Sequence, residues 1–212
     1  MDTADVVIVG GGVHGCALAY HLARMRAGRI RVFEENNLAS GATGRSAAGV
    51  RHQFGTEINC RLAVENIRRF QTLEHDLDWD GDIEFEQGGY LLIAYSEGQL
   101  EQFRRNVALQ NRLGIPSVIL DPAGVGAVAP DLNLDGVLGG SYCPKDGHAN
   151  PFHVTMAYAS AARRLGVQFS LGEPVLRVET LRGRVRGVRT AFGTVGAGAV
   201  VIAAGARGKE LA

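Results

Sequence analysis

The opening of the chain alternates between compact apolar runs and apolar positions at helical spacing. Residues 6–9 form an unbroken β-branched run, which is typical of a strand buried on both faces. Apolar side chains then recur at helical spacing as far as Gly28, a candidate helix C-cap. Residues 31–34 predict a second strand. The pattern therefore predicts a βαβ unit with a parallel crossover.

The middle of the chain departs from this rhythm. Residues 39–54 are rich in glycine, serine and alanine without clean periodicity, which predicts a loop that approaches a ligand. A helix is predicted over residues 60–70, and Ser96 with Gln99 forms a capping box for a longer helix that ends near residue 114. The strands predicted here are short, at residues 83–85, 90–93, 118–120 and 136–138.

The last third of the chain again combines a helix with apolar runs. Asn150 and Pro151 are an N-cap and first-turn pair for a helix that runs to Gly166. Strands are predicted at residues 167–170, 175–179, 184–189 and 199–203. The expected fold class is α/β (α+β overall). A Rossmann-like domain would occupy residues 1–76 and 151–212, with a partial mixed-sheet substrate domain inserted at residues 77–150.

Residues 10–15 fit the pattern G-x-G-x-x-G. The motif follows the first predicted strand, opens the first predicted helix, and is followed 19 residues after Gly15 by Glu34. Gly10 would permit the tight turn, Gly12 would let the backbone approach a pyrophosphate, and Gly15 would allow close helix–strand packing. Glu34 suits ribose hydroxyls and repels a 2′-phosphate. These residues predict a dinucleotide site; the alternative is a glycine-rich structural turn.

The order of elements discriminates between two dinucleotides. A nicotinamide dehydrogenase normally continues β-α-β through two mononucleotide-binding halves. This chain leaves that rhythm after Glu34. FAD is therefore favoured over NAD.

A longer segment carries a specific resemblance. Residues 41–54, GATGRSAAGVRHQF, resemble the segment that sarcosine oxidase beta subunits and related proline dehydrogenases place against the pyrophosphate and isoalloxazine of FAD. Similarity continues through residues 88–91, 146–151 and 201–206 and spans essentially the whole chain. The chain thus resembles the amino-terminal part of an FAD-dependent amine oxidoreductase of the D-amino-acid-oxidase superfamily, which also includes glycine oxidases.

The resemblance implies which residues meet the cofactor. Arg45 and Ser46 would hold the pyrophosphate or the ribityl chain, and the backbone of Val175 would meet the adenine. Ala204 and Gly205 would let the last strand approach FAD. The complete expected cofactor set is Gly10, Gly12, Val13, His14, Gly15, Glu34, Glu35, Gly44, Arg45, Ser46, Val175, Ala204 and Gly205.

Two adjacent residues are the catalytic candidates. The resemblance implies that Arg51 faces the substrate side of the flavin, where a guanidinium could bind the carboxylate of an amino acid through two parallel hydrogen bonds. The alternative is an arginine paired with a carboxylate of the protein. His52 could influence the flavin, whereas a hydrogen-bonded structural histidine is the commoner role beside a polar loop.

Composition narrows the class of partner. The 22 basic and 22 acidic residues give no net charge, which argues against nucleic acid or an anionic membrane. Three cysteines without C-x-x-C spacing suggest neither a disulfide framework nor a zinc site, so no metal is expected and a reducing cytoplasm fits best. No stretch is long and apolar enough for a signal-peptide core or a transmembrane helix. The expected ligand is a small molecule.

The resemblance also implies a reaction. The expected activity is oxidation of the C–N bond of a small amino acid or secondary amine, such as sarcosine, proline or glycine, by hydride transfer to flavin. Family members continue for a comparable length beyond the position of Ala212, so the carboxyl-terminal part of the family fold is expected to be missing. The competing hypothesis is a noncatalytic FAD-binding or electron-transfer subunit, which would need a partner subunit of a hetero-oligomeric dehydrogenase. A third hypothesis is an NAD dehydrogenase.

Overall fold

The computed structural model describes residues 2–211. In chain order the helices are α1 (Val13–Arg24), α2 (Glu57–Phe70), α3 (Leu73–Asp76), α4 (Glu97–Arg112), α5 (Pro122–Val128) and α6 (Pro151–Arg164), followed by a 3-10 helix at Gly205–Glu210. The strands are β1 (Thr3–Val9), β2 (Ile30–Glu34), β3 (Gly49–Val50), β4 (Tyr90–Ala94), β5 (Val118–Leu120), β6 (Gly139–Cys143), β7 (Gly147–His148), β8 (Gln168–Leu171), β9 (Val175–Leu181), β10 (Arg184–Thr190) and β11 (Gly193–Ile202).

These elements fall into two compact units. Unit 1 comprises Met1–Ala47, Glu74–Ile83 and Asn150–Ala212, whereas unit 2 comprises Ala48–Leu73 and Glu84–Ala149. The limits differ from the predicted domains, because residues 48–73 lie in unit 2 and residues 77–83 in unit 1. The physical reason is long-range packing: α2 contacts α4, which periodicity along the chain cannot show. The assignment of a function to each unit remains a prediction.

Unit 1 is built on a six-stranded mixed sheet in the order β8-β2-β1-β11-β10-β9. Neighbours from β8 to β11 are parallel, and β11, β10 and β9 follow as antiparallel neighbours. Val7 and Ile8 are fully buried, so β1 is covered on both faces as its unbroken apolar run predicts. Val7 packs in one cluster with Phe33 and Val188. The α/β fold class and the first crossover are confirmed.

Two helices of unit 1 pack against each other. Helices α1 and α6 are in contact, and Cys16, Leu38 and Ala159 form a shared buried cluster. The N-terminus of α6 is capped as predicted, because Asn150 Oδ1 accepts hydrogen bonds from the N–H groups of the second and third helical residues at 3.0 and 3.3 Å. Pro151 occupies the first helical position.

Unit 2 contains a three-stranded antiparallel sheet in the order β4-β6-β5 and a separate short pair, β3 with β7. Helices α4 and α5 pack against the three-stranded sheet. Cys60, Ile115 and Cys143 form its buried cluster. In the short pair, Val50 lies opposite Gly147. This register brings the residues after β3 beside those before β7.

Two predicted strands are wrong, and the short helices α3 and α5 were not predicted. Residues 83–85 are not a strand, because Glu84 has a left-handed φ of +54°. Residues 136–138 leave a turn, and the strand begins at Gly139 instead. Helix α5 begins where Asp121 Oδ1 accepts from Gly124 N–H at 2.7 Å, with Pro122 at the first position. Among residues 2–211, no helix combines the length and apolarity needed to span a bilayer.

Candidate functional site

The turn between β1 and α1 has glycine where a side chain could not be accommodated. Gly10 has φ +112°, and a Cβ there would lie 2.5 Å from the Ala203 carbonyl oxygen. A Cβ at Gly15 would overlap the Gly10 carbonyl oxygen, and one at Gly12 would lie 3.0 Å from Thr43 Oγ1. Strand and helix therefore approach closely, and the glycines add no side chains between the turn and the positive end of the α1 dipole.

Glu34 lies at the end of β2, and its carboxylate binds the glycine turn. Its Oε2 accepts a hydrogen bond from Gly11 N–H at 2.7 Å, and its Oε1 accepts one from Asn36 N–H at 3.0 Å. The side chain is half-buried and is not turned away into water. Glu35 is exposed and forms an ion pair with Arg207, a residue that sequence reasoning missed. Glu34 thus lies beside the glycine turn at the end of β2, the position from which the acidic residue of the motif binds the ribose of a dinucleotide.

The predicted ligand-approaching loop supplies a hydroxyl at the start of α1. Thr43 Oγ1 accepts a hydrogen bond from Val13 N–H at 3.1 Å, and Ser46 Oγ donates to the Thr43 carbonyl oxygen at 2.8 Å. Arg45 is exposed. A Cβ at Gly44 would lie 2.5 Å from the Ala39 carbonyl oxygen, which is backbone, so this glycine is required by packing. Sequence reasoning missed Thr43, although it stands inside the quoted segment.

The remaining cofactor candidates of unit 1 lie at the start of α1, just after the end of β11 and at the start of β9. His14 and Gly205 line an open cavity of about 500 Å³ together with Leu18, Val201, Ile202 and Ala203. Val175 packs against the cluster that contains Phe33. Bare glycine backbone, a helix N-terminus and a strand-end carboxylate are the features that a dinucleotide requires. The residues present therefore fit FAD, and their individual contacts with it remain predictions.

The two catalytic candidates of unit 2 have different environments. Arg51 is half-buried, and its guanidinium carbon lies 5.0 Å from the centroid of the Tyr90 ring. His52 is buried, with 6% of its surface exposed, and its Nδ1 lies 2.7 Å from Asp146 Oδ1. Arg51 thus presents its charge beside an aromatic ring, and His52 points its Nδ1 into the interior of the unit.

His52 belongs to a buried group of potential metal ligands that the sequence analysis did not foresee. His52, Cys143 and Asp146 each offer one ligand atom, and these atoms lie within 4.8 Å of one another. However, Nδ1 and Oδ1 are at direct hydrogen-bond distance, and the same Oδ1 accepts from His52 N–H at 2.8 Å. Cys143 Sγ is 4.0 Å from Nδ1. The geometry is that of a hydrogen-bonded cluster within unit 2.

All three cysteines are buried and free. Burial raises the pKa of the Cys16 thiol to about 12, and burial is also the main cause of the raised pKa values of Cys60 and Cys143. Cys16 Sγ lies 3.6 Å from the Gly11 carbonyl oxygen. The thiols therefore stay protonated at neutral pH and are poor nucleophiles.

The raised pKa of Cys16 predicts alkaline destabilisation. A thiol that ionises near pH 9 when unfolded and near pH 12 when folded stabilises the fold below about pH 9, and this contribution is lost as pH rises toward 12. Within that window the free energy of unfolding should fall by about 1.4 kcal/mol per pH unit on account of Cys16. Urea titrations at several pH values should therefore give a steeper decline for the natural chain than for Cys16→Ala. Equal slopes would show that the Cys16 thiol ionises normally in the folded chain.

Comparison with known proteins is consistent with this geometry. A family described as DAO, FAD dependent oxidoreductase, matches residues 5–212. The chain is 32% identical over 211 residues to mitochondrial dimethylglycine dehydrogenase of Rattus norvegicus, covering 99% of this chain and 24% of that protein. It is 31% identical over 214 residues to sarcosine oxidase subunit beta of an Arthrobacter species, covering 98% and 52%. The crystal structure of L-proline dehydrogenase from P. horikoshii matches with a TM-score of 0.89 at 29% identity, covering 99% and 55%.

The matched regions are nearly the whole of this chain but only part of each relative. The chain spans about a quarter of the rat dehydrogenase and about half of the other two proteins. The family match covers both units, including the glycine turn, Glu34 and Arg51. It also favours FAD over NAD as the dinucleotide. The chain belongs to the DAO family of FAD-dependent oxidoreductases.

Proposed function

We propose that this chain contributes to FAD-dependent oxidation of the C–N bond of a small amino acid or secondary amine, of the sarcosine, proline or glycine class. The observation that carries the proposal is the glycine turn of unit 1, with Glu34 bound to it, in a chain of the FAD-dependent family. The names of the relatives support the substrate class, because they include a sarcosine oxidase subunit and a proline dehydrogenase.

In this proposal unit 1 binds the cofactor. Glu34 accepts hydrogen bonds from the ribose hydroxyls, while the N–H groups at the start of α1 meet the diphosphate. Thr43 joins Arg45 and Ser46 as a polar contact on the same side of the turn, since its hydroxyl already lies at Val13 N–H. Val175, Ala204 and Gly205 contribute backbone rather than side-chain contacts.

Arg51 binds the substrate carboxylate in this proposal. Its guanidinium can make two parallel hydrogen bonds to a carboxylate, and stacking on Tyr90 restricts its orientation. Orientation of the bound amine fixes which carbon loses hydride. Hydride acceptance is the chemistry that FAD supplies when it is bound. The residues of this chain bind and orient the reactants.

Anaerobic flavin bleaching tests the proposed function. The chain reconstituted with FAD should retain a yellow cofactor through gel filtration, and addition of sarcosine, proline or glycine should bleach its visible absorbance. An amine without hydrogen on the carbon beside nitrogen should leave the spectrum unchanged, because no hydride is available. Bound flavin that dithionite reduces but that none of these amines reduces would contradict the catalytic proposal.

A noncatalytic FAD-binding or electron-transfer subunit is the second candidate function. It is supported by the name of one relative, sarcosine oxidase subunit beta, because a subunit acts together with partner chains. A partner chain in a hetero-oligomer is therefore part of this alternative.

Three free cysteines support a reducing compartment, and we propose the cytoplasm.

A further inference from the structure

A buried carboxylate in unit 2 binds the loop that follows β3. Asp146 is fully buried, and its Oδ1 accepts a hydrogen bond from His52 N–H at 2.8 Å and lies 2.7 Å from His52 Nδ1. Its Oδ2 accepts a hydrogen bond from Gln53 Nε2 at 3.1 Å. A carboxylate is costly to bury unless donors surround it. Here these donors come from two consecutive residues, which ties the Asp146 segment to one short stretch of backbone.

The same network extends beyond Asp146. Gln53 Nε2 also donates to the Tyr90 carbonyl oxygen at 2.8 Å, and Gln53 Oε1 accepts from Ser141 Oγ at 2.6 Å. The Phe54 carbonyl oxygen accepts from Gln110 Nε2 at 3.0 Å. Residues 52–54 are therefore held by hydrogen bonds from four separate segments of unit 2.

Arg51 is the residue of this loop whose side chain points to Tyr90 instead of joining the network. Its guanidinium carbon lies 5.0 Å from the Tyr90 ring centroid, and the carbonyl oxygen of Tyr90 is the one that Gln53 binds. The network thus fixes both the backbone that carries Arg51 and the strand that carries the ring beneath it.

Stability alone does not account for such a network. Well-packed apolar side chains in place of a buried charged group often give equal or greater stability. A buried polar network whose members are satisfied instead selects one geometry, because any other arrangement leaves a donor or acceptor unpaired. The geometry that is selected here is that of residues 51–54.

We propose that Asp146, His52 and Gln53 are positioning residues that hold the Arg51 guanidinium for a ligand carboxylate. This inference rests on the proposed function, in which Arg51 binds the substrate carboxylate. A displacement of about 1 Å can cost up to about 100-fold in a positioned interaction. Asp146→Asn introduces a donor where an acceptor is required, so either His52 or Gln53 loses its partner and the loop shifts.

The test uses a probe that needs no turnover. The FAD-reconstituted chain is labelled with 15N- and 13C-arginine for NMR. Acetate is titrated into it, and acetamide serves as the uncharged counterpart. The Arg51 guanidinium signal is assigned by its loss in Arg51→Lys. Asp146→Asn is expected to weaken acetate binding about 10- to 100-fold, to leave acetamide unchanged, and to broaden or shift the Arg51 signal. Asp131→Asn, an exposed aspartate of the same unit, is the matched control and should behave as the natural chain.

The outcomes separate the two proposals. If the natural chain binds acetate and Arg51→Lys weakens that binding while Asp146→Asn does not, the positioning role is overturned and the role of Arg51 stands. If acetate does not bind, or binds equally well to Arg51→Lys, the carboxylate role of Arg51 fails first, and the positioning role for a carboxylate fails with it. Positioning also requires that Asp146→Asn cause no further loss of acetate affinity in the Arg51→Lys background.

A second variant serves if Asp146→Asn does not fold. Ser141→Ala removes only the hydrogen bond to Gln53 Oε1 and should weaken acetate binding about 3- to 10-fold. Unchanged acetate binding in Ser141→Ala would overturn the proposal.

Discussion

Replacement of Gly15 by alanine is expected to weaken FAD binding by at least about 100-fold and to lower the free energy of unfolding by about 1–3 kcal/mol. The added Cβ would overlap the Gly10 carbonyl oxygen, which is backbone and cannot rotate away. Helix α1 must then move off β1. Its N-terminal N–H groups would move with it, away from the diphosphate position.

The control for this prediction lies in unit 2. Gly98 on α4 is exposed, and a Cβ added there meets nothing within 4 Å, so Gly98→Ala should bind FAD as the natural chain does. FAD affinity is measured by quenching of flavin fluorescence, and stability by urea unfolding in the absence of FAD. Unchanged affinity in Gly15→Ala would mean that close approach of helix and strand is not needed for cofactor binding.

Replacement of Arg51 by alanine is expected to reduce the rate constant kcat/KM for a carboxylate-bearing amine by about 100- to 1000-fold. Two charge-assisted hydrogen bonds would be lost, and each contributes about 1.5–3 kcal/mol, with incomplete additivity. Arg51→Lys should be intermediate, because an ammonium retains the charge but not the paired geometry. The loss should be specific for the carboxylate: reduction of the flavin by pyrrolidine should change far less than reduction by proline.

A matched arginine of the same unit serves as the comparison. Arg61 on α2 is exposed and pairs with Glu57 one helical turn away, so Arg61→Ala should leave both rates unchanged. Equal losses for proline and pyrrolidine in Arg51→Ala would indicate damage to the fold instead of a lost carboxylate contact. The ratio of the two rates is therefore the decisive measurement.

Local patterns predicted the part of the fold that local forces determine. The β1-α1-β2 crossover follows from an unbroken apolar run, helical spacing and a glycine turn, all within 34 residues. The α6 cap followed from Asn150 and Pro151 for the same reason. The prediction failed at residues 83–85, where a left-handed φ at Glu84 interrupts an apolar pattern that otherwise suits a strand. It also missed α5, because glycine-rich apolar residues conceal a helix that an aspartate cap and a first-position proline begin.

The residues of the candidate site also differ in whether local sequence patterns could predict them. Glu34 could be predicted because its distance along the chain from the glycines is characteristic of the motif. Thr43 and Arg207 could not, since their contacts depend on how separate loops fold over the turn. The hydrogen bond between Asp146 and His52 could not be predicted either, because the two residues are 94 positions apart in sequence. The motif around Asp146 was recognised as similar to the family, but no sequence pattern reveals which backbone a buried carboxylate binds.

The hydrogen bond between Gly11 and Glu34 has a consequence for the thermodynamics of cofactor capture. Gly11 N–H is bound to Glu34, and Gly11 carbonyl oxygen accepts from Ala39 N–H at 3.0 Å, so the chain itself fixes both polar groups of this residue. Immobilising a residue costs about 1–2 kcal/mol of backbone entropy. Because Gly11 is already ordered in the folded chain, this entropy is not lost again when a dinucleotide binds, and the free energy of binding is more favourable. The loop is thus preorganised, and its affinity for a dinucleotide depends correspondingly little on induced ordering.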